Sequence, residues 1–343
     1  MTNQFAIVFN QAVSNNIRKV LYMKNILTAD IGATNSRFAH FTSDDNGILT
    51  LVNTIWFQTG EASSFKELIS GLIRKRFSIL PEQADVTVIA IAGPVERAVY
   101  SAPPFISWDI DISNAKVDYG FNKCLLINDF VAQAYACKSP VGDAAETILS
   151  GHEVATAAVA VIGAGTALGK AVLMPDGQGG YIAVPSEGGH ASFPFSSERE
   201  FQYHDFLLGQ LNQKYVTANF VVSGLGLTYL HHFLSGRALT PEQVANELSS
   251  ESETLEWASR FYGRVCRNYA LETLALGGVY IAGGVAAKIP QLLKHSAFES
   301  EFRSSSTMSD ILNNIPVLLI TNEESGLWGA GFLGLMTLTQ DYS

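Results

Sequence analysis

The chain is short of the features that mark secreted, membrane-spanning and nucleic-acid-binding proteins. Cysteine occurs three times in 343 residues, at Cys124, Cys137 and Cys266. Wide spacing and apolar neighbours exclude a disulfide framework and a cysteine-based metal site, and suit reduced thiols packed in a core. No apolar run approaches the roughly 18 residues that a membrane span requires. Charged residues make up only 16% of the chain, and their balance is acidic at −10. No basic stripe is present, which argues against contact with a phosphate backbone. Residues 5–9 are apolar, but no basic segment precedes them and no cleavage site follows, so they make a poor signal peptide. These absences predict a cytoplasmic protein with neither nucleic acid nor membrane among its partners. Residues 1–22 are set aside as an extension of unassigned status, because Met23-Lys24-Asn25 stands directly before the first clear strand.

What is present is an α/β pattern. The length and an apolar content of 47% suffice to bury a substantial core divided between two domains. Residues 26–31 read as a strand, followed by the polar turn Gly32-Ala33-Thr34-Asn35 and a second apolar run at 38–41. An Asn46-Gly47 hairpin signal then leads to a third run at 48–52. The same design returns later in the chain. A strand at 157–162 enters Gly163-Ala164-Gly165-Thr166-Ala167-Leu168-Gly169, and a return strand at 170–174 precedes an Asp176-Gly177 turn and a third strand at 181–184. Two copies of one arrangement predict an internal duplication. Residues 64–76, 197–211, 223–234, 253–276 and 326–338 read as helices, and 86–92, 124–127, 279–282 and 316–320 as strands.

Several stretches carry chemistry. Cys124-Leu125-Leu126-Ile127 runs straight into Asn128-Asp129, placing an amide and a carboxylate at the carboxyl end of a buried strand, where ligand crevices form. Asp129 is there either as the N-cap of the helix that follows or as a catalytic carboxylate. The two Gly-containing turns suit a phosphate, since small residues let backbone N–H groups converge on an anion. Thr34, Asn35 and Thr166 add side-chain donors. A plain tight hairpin is the alternative for each turn. Asp30, at the strand end before the first turn, suits Mg²⁺, held directly or through water.

Competing phosphate motifs fit less well. Gly163, Gly165 and Gly169 spell G-x-G-x-x-x-G rather than the dinucleotide G-x-G-x-x-G, and a strand follows where a helix should open. Gly169-Lys170 is followed by Ala171, which has no hydroxyl for a metal, so a Walker A loop is excluded too. Glu187-Gly188-Gly189-His190 sets a carboxylate and an imidazole on a turn of the kind that grips polyhydroxylated ligands. A buried histidine beside a solvated acid is the alternative. Gly283-Gly284-Val285 lets an adenine lie against the backbone, or is a plain strand-to-helix turn.

Taken in order, these motifs resemble those of the bacterial glucokinases of the hexokinase/actin-like ATPase superfamily, from about Met23 to the C-terminus. D-I-G-A-T-N-S-R is similar to the family's first phosphate loop, usually D-I-G-G-T-N-x-R. That likeness implies nucleotide contacts at Asp30, Gly32, Ala33, Thr34, Asn35 and Arg37. L-I-N-D-F resembles the catalytic motif and implies Asp129 as general base and Asn128 as a sugar contact. G-A-G-T-A-L-G is similar to the second phosphate loop, usually G-x-G-T-G-L-G, implying Gly163, Ala164, Gly165 and Thr166. E-G-G-H resembles the sugar-binding turn and implies Glu187 and His190. Ser223-Gly224 and Gly283-Gly284 fall where the family has its connector and adenosine motif, and I-P-V-L-L-I with G-L-W-G-A-G resembles its C-terminal signature. Ala33 and Ala167 stand where the family has glycine, a difference that matters where the backbone needs a positive φ. Pro104-Phe105 replaces a usual Thr-Asn. Asn219 replaces a glutamate that reaches the sugar near its anomeric end, keeping hydrogen-bonding capacity without the charge. No Cys/His cluster follows the E-G-G-H turn, unlike in zinc-binding relatives.

The resemblance implies an α/β fold of two actin-like (ribonuclease H-like) domains with an interdomain active-site cleft. Residues 23–138 plus 324–343 would form the small domain and 139–323 the large one. ATP and Mg²⁺ are the implied cofactors, glucose or a similar hexose the substrate, and a homodimer the assembly. The expected activity is ATP-dependent phosphorylation of glucose to glucose 6-phosphate. Two alternatives stand beside it: a kinase for another hexose or amino sugar, motivated by Asn219, and a catalytically weak sugar-binding regulator.

Overall fold

The computed structural model describes residues 23–340, so the extension at 1–22 lies outside the described residues. The chain divides into two compact units, Met1–Ile127 with Ala330–Ser343, and Asn128–Gly329.

The first unit is built on β1 (Lys24–Ile31), β2 (Asn35–Ser43), β3 (Leu49–Gln58), β4 (Val86–Ile91) and β5 (Cys124–Asn128), in the sheet order β3-β2-β1-β4-β5. β1 pairs antiparallel with β2 on one side and parallel with β4 on the other. A strand covered on both faces needs an unbroken apolar run rather than alternation. That is what Ile26, Leu27, Ala29 and Ile31 supply, and all six residues of β4 are likewise buried. β3 is the edge strand and alternates, running further than its apolar start suggests because its outward positions are polar or partly exposed. Helix α1 (Phe65–Arg74) begins at Ser64, whose side chain accepts from the Glu67 N–H, and buries Phe65, Leu68, Ile69 and Leu72 at helical spacing.

The second unit repeats this sheet. It contains β6 (Glu146–Leu149), β7 (Val159–Ala164), β8 (Leu168–Pro175), β9 (Tyr181–Ser186), β10 (Val279–Ile281) and β11 (Val317–Leu319), ordered β9-β8-β7-β10-β11-β6. β7 again lies between an antiparallel hairpin partner, β8, and a parallel neighbour, β10. The shared order, hairpin then parallel strands, is the duplication that the two Gly-containing turns predict. Three long helices, α2 (Asp129–Ala136) aside, dominate its core: α3 (Glu198–Leu211), α4 (Gly224–Ser235) and α5 (Glu253–Thr273). Their aromatic side chains, Tyr203, Phe233, Trp257 and Phe261, meet edge-to-face or tilted with ring centroids 5.2–6.5 Å apart, apart from the stacked Tyr203–Phe261 pair.

The two compact units part between Ile127 and Asn128 and again between Gly329 and Ala330. α2 packs on β7, β8 and β9, so the second unit starts at Asn128. The closing helix α6 (Ser325–Gln340) shares its glycines between the units. Gly329 lies flush on the backbone of Ala132, whereas Gly331 and Gly334 abut Phe41 and Ile26 respectively.

Candidate active site

Within the first unit, the turn after β1 is braced from below. Gly32 N–H donates to Asn35 O at 2.9 Å, Thr59 Oγ1 donates to Gly32 O at 2.7 Å and Thr59 N–H to Thr34 O at 2.9 Å. Ser36 Oγ lies 2.8 Å from Thr59 Oγ1. Ala33 and Thr34 are left exposed at the tip. Asp30 faces Arg37 across the β1–β2 ladder, and the Arg37 guanidinium lies 4.1 Å from the Trp56 ring centroid. Desolvation lifts the Asp30 carboxyl above its ordinary pKa, while Arg37 pulls the other way. The Asn35 side chain accepts from Gln58 Nε2 at 3.0 Å.

A desolvated carboxylate with incomplete charge compensation is a fit for a hydrated Mg²⁺. Such an ion needs only one or two protein carboxylates when a nucleotide supplies the other oxygens. Among the described residues no group of three or more His, Cys, Asp or Glu could hold a metal by itself.

In the second unit, Asn128 rather than Asp129 is the N-cap of α2. Its Oδ1 accepts from Phe130 N–H at 2.8 Å. Asp129 is the first helical residue, and its own Oδ1 accepts from the same N–H at 3.0 Å. Capping therefore needs Asn128, which leaves the role of Asp129 to be explained by other means. The Phe130 ring lies on the β7–β8 hairpin at Gly169 and touches Gly163.

The turn of that hairpin is closed by Gly165 N–H to Ala167 O at 2.8 Å, with Thr166 and Ala167 exposed. Gly224 N–H, at the start of α4, donates to Gly165 O at 3.0 Å. Gly163 has no room for a side chain because Ala282 O lies against it. Directly after Ala282, Gly283 has φ +96° and Gly284 opens a short helix, Gly284–Lys288. The Gly-rich turn and Gly283-Gly284 thus share the carboxyl ends of the parallel strands β7 and β10, where α/β sheets bind ligands. Neither Ala33 nor Ala167 has a positive φ, so at both sites an alanine replaces glycine without backbone strain.

Glu187 precedes a single 3₁₀ turn, Gly188–His190, that presents both Glu187 and His190 to solvent, Nε2 and Oε2 3.8 Å apart. Gly189 is buried against Leu168 O and Asn219 Oδ1. Asn219 Oδ1 accepts from Leu168 N–H at 2.8 Å, and Ala218 N–H donates to Ala191 O at 3.0 Å. Asn219 thus joins the E-G-G-H turn to the turn end of the β7–β8 hairpin. Its carbonyl oxygen is engaged with the backbone. The second unit therefore gathers Asn128, Asp129, Gly163, Ala164, Gly165, Thr166, Glu187, His190, Asn219, Gly283 and Gly284, and the first holds Asp30, Gly32, Ala33, Thr34, Asn35 and Arg37.

Two residues beside the site were passed over in the sequence. Lys170 is 6% exposed on β8, its Nζ 4.8 Å from the Tyr269 ring centroid, and burial holds its pKa below the ordinary value. A lysine inside an apolar strand was the available signal. Phe130 had none, because its partners are glycines more than thirty residues away.

The glucokinase family profile matches residues 27–336. A glucokinase of Nostoc punctiforme is 30% identical, with 90% of this chain and 98% of the relative covered. Among solved structures, glucokinase from an Antarctic psychrotroph superposes with TM-score 0.77 at 27% identity, covering 90% of this chain and 98% of that one. Glucokinase from Balamuthia mandrillaris, in complex with glucose, gives TM-score 0.74 at 17% identity over 98% and 99%, a likeness of fold.

Proposed function

From the premise that the chain belongs to the glucokinase family, we propose that it transfers the γ-phosphoryl group of ATP to the 6-hydroxyl of glucose, with Asp129 as general base. The observation that carries the proposal is the setting of Asp129. It opens α2 with its carboxylate held by Phe130 N–H, in the unit that also bears the β7–β8 turn and Glu187–His190. Asp129 accepts the hydroxyl proton as the oxygen attacks in line, a contribution of about 10²–10⁴ in rate.

Backbone N–H groups of the two turns, with Thr34, Asn35, Arg37 and Thr166, bind phosphate oxygens and stabilise the charge of transfer. Glu187, His190 and Asn128 orient the sugar hydroxyls, and Gly283-Gly284 offers bare backbone to the adenosine. Asp30 would hold the Mg²⁺ that accompanies the nucleotide, and that ion would supply charge neutralisation at the phosphate oxygens. Burial raises the pKa of all three free thiols, which suits a reducing compartment and supports a cytoplasmic location.

One observation favours a broader substrate range. Asn219 carries no charge and engages its Oδ1 with Leu168 N–H, which supports a weaker grip at the anomeric end and entry of other hexoses or amino sugars. An ADP-release assay across hexoses and amino sugars, with the parent and Asn219→Glu, tests both readings. Glucose turnover that is highest in the panel supports the first. A better substrate elsewhere, with glucose turnover improved by Asn219→Glu, supports the second. Sugar-dependent thermal stabilisation without ADP release would replace both with a sugar-binding regulator.

A further inference from the structure

Gly163 and Gly169 are register partners across the β7–β8 hairpin. A side chain at Gly169 would overlap the Phe130 ring, with Phe130 Cζ 2.5 Å from the Cβ position; at Gly163 the same ring atom is 3.2 Å away. The two glycines therefore form a bare floor under one aromatic ring. Two residues beyond each of them, Gly165 and Ala167 close the exposed turn. The Phe130 backbone N–H meanwhile holds Oδ1 of both Asn128 and Asp129, at 2.8 and 3.0 Å. One residue thus grips the carboxylate through its backbone and the hairpin through its ring.

We propose that Phe130 is a positioning residue that sets the distance of the Asp129 carboxylate from the phosphate-binding turn, a proposal that rests on Asp129 being the base. Gly169 serves this docking, Gly163 is kept bare first by Ala282 O and only then by the ring, and phosphate contact belongs to the turn at 165–167. An error of about 1 Å in such a distance costs about 10²-fold in rate. The ring acts on the hairpin, so its removal is read in kcat rather than in hexose affinity.

The test compares Phe130→Ala, Phe130→Leu, Gly169→Ala and the double variant Phe130→Ala/Gly169→Ala, with Asp129→Ala in parallel. kcat, KM and glucose Kd by calorimetry are measured on each, after thermal melts establish folding. Phe130→Ala and Gly169→Ala are each expected to lose about 10–100-fold in kcat, with glucose Kd within about threefold of the parent. Phe130→Leu, which refills most of the space, is expected to recover most of the loss. In the double variant the added methyl occupies space vacated by the ring, so the two losses do not add. Parent-like kcat in Phe130→Ala beside an inactive Asp129→Ala overturns the positioning role alone, as do additive losses or a loss confined to glucose Kd. Turnover by Asp129→Ala overturns the base assignment beneath it. If Phe130→Ala does not fold, Phe130→Leu and Gly169→Ala decide by the same criteria.

Discussion

Replacing Arg264 by methionine removes the centre of a buried ionic network. Arg264 lies on α5 with 4% of its side chain exposed, and Glu200, opposite it on α3, has 2%. The guanidinium is bidentate to Glu200 at 2.6 and 3.0 Å, donates to Glu301 Oε1 at 2.8 Å and reaches Pro194 O at 3.0 Å. Without it, Glu200 keeps, among the described residues, the bonds from Ser196 N–H and Oγ, at 2.8 and 3.2 Å, and an ion pair with Arg260 at 4.0 Å. Stranding one member of a buried pair costs about 3–5 kcal/mol. The residual serine bonds place this case near the lower figure. For a unit of about 200 residues, that lowers Tm by about 6–12 °C.

The pH dependence supplies a second signature. Burial alone would raise the Glu200 pKa, but Arg264 and the Ser196 bonds outweigh it and hold the group below its ordinary value. Its stabilisation is therefore present above about pH 4.5, the unfolded value, and is lost as pH falls through the depressed folded value. In Arg264→Met burial is no longer opposed by the guanidinium and the pKa rises, so mild acid should stabilise the variant relative to pH 7. Circular-dichroism melts at pH 7 and pH 5 read both effects, and adding Glu200→Gln should restore most of the lost stability. A Tm within about 2 °C of the parent at pH 7, without the double-variant recovery, would refute the reasoning.

Two further perturbations act next to the site. Gly283→Ala places a methyl at φ +96° with its Cβ 2.9 Å from Ala164 O, which should cost about 1–3 kcal/mol and raise the KM for ATP more than that for glucose. A melt and two substrate titrations check it, and unchanged ATP dependence would count against Gly283-Gly284 as the adenosine seat. Lys170→Met removes a buried ammonium that has no hydrogen bond or ion pair among the described residues, at the loss of its contact with the Tyr269 ring. The variant should gain about 1 kcal/mol, and its stability should lose the rise that the parent shows as pH climbs through the depressed lysine value towards 10.5. A fall in Tm at pH 7 would instead make the ammonium a support of the E-G-G-H turn.

The central strands were legible because burial on both faces demands uninterrupted apolar runs, as at 26–31 and 159–162, and because Gly-containing turns punctuate them. Ser64, Ser197 and Ser252 each cap the helix that follows them, so helix starts were legible too. The sheet that α2 covers was not. The apolar residues of α2 announce a buried face without saying which sheet they cover. The short helices between Gly284 and Asn314 are below the length at which periodicity can be read. In the site, residue types were legible where chemistry is local, as in Asp30 and Glu187-Gly188-Gly189-His190. Contacts between distant segments were not: Asn219 with Leu168, and Phe130 with Gly163 and Gly169, follow from topology. The alanines at 33 and 167 show the same limit, since only backbone angles reveal that no glycine is required there.

The central claim is that Asp129 is a base rather than a helix cap. Asp129→Ala removes the carboxylate and leaves the Asn128 cap in place, so the second unit should fold with little change in Tm. The most direct measurement is kcat for glucose phosphorylation beside glucose Kd in this variant. A fall in kcat of about 10²–10⁴ with Kd within about threefold is the expected result. Turnover close to that of the parent would contradict the account.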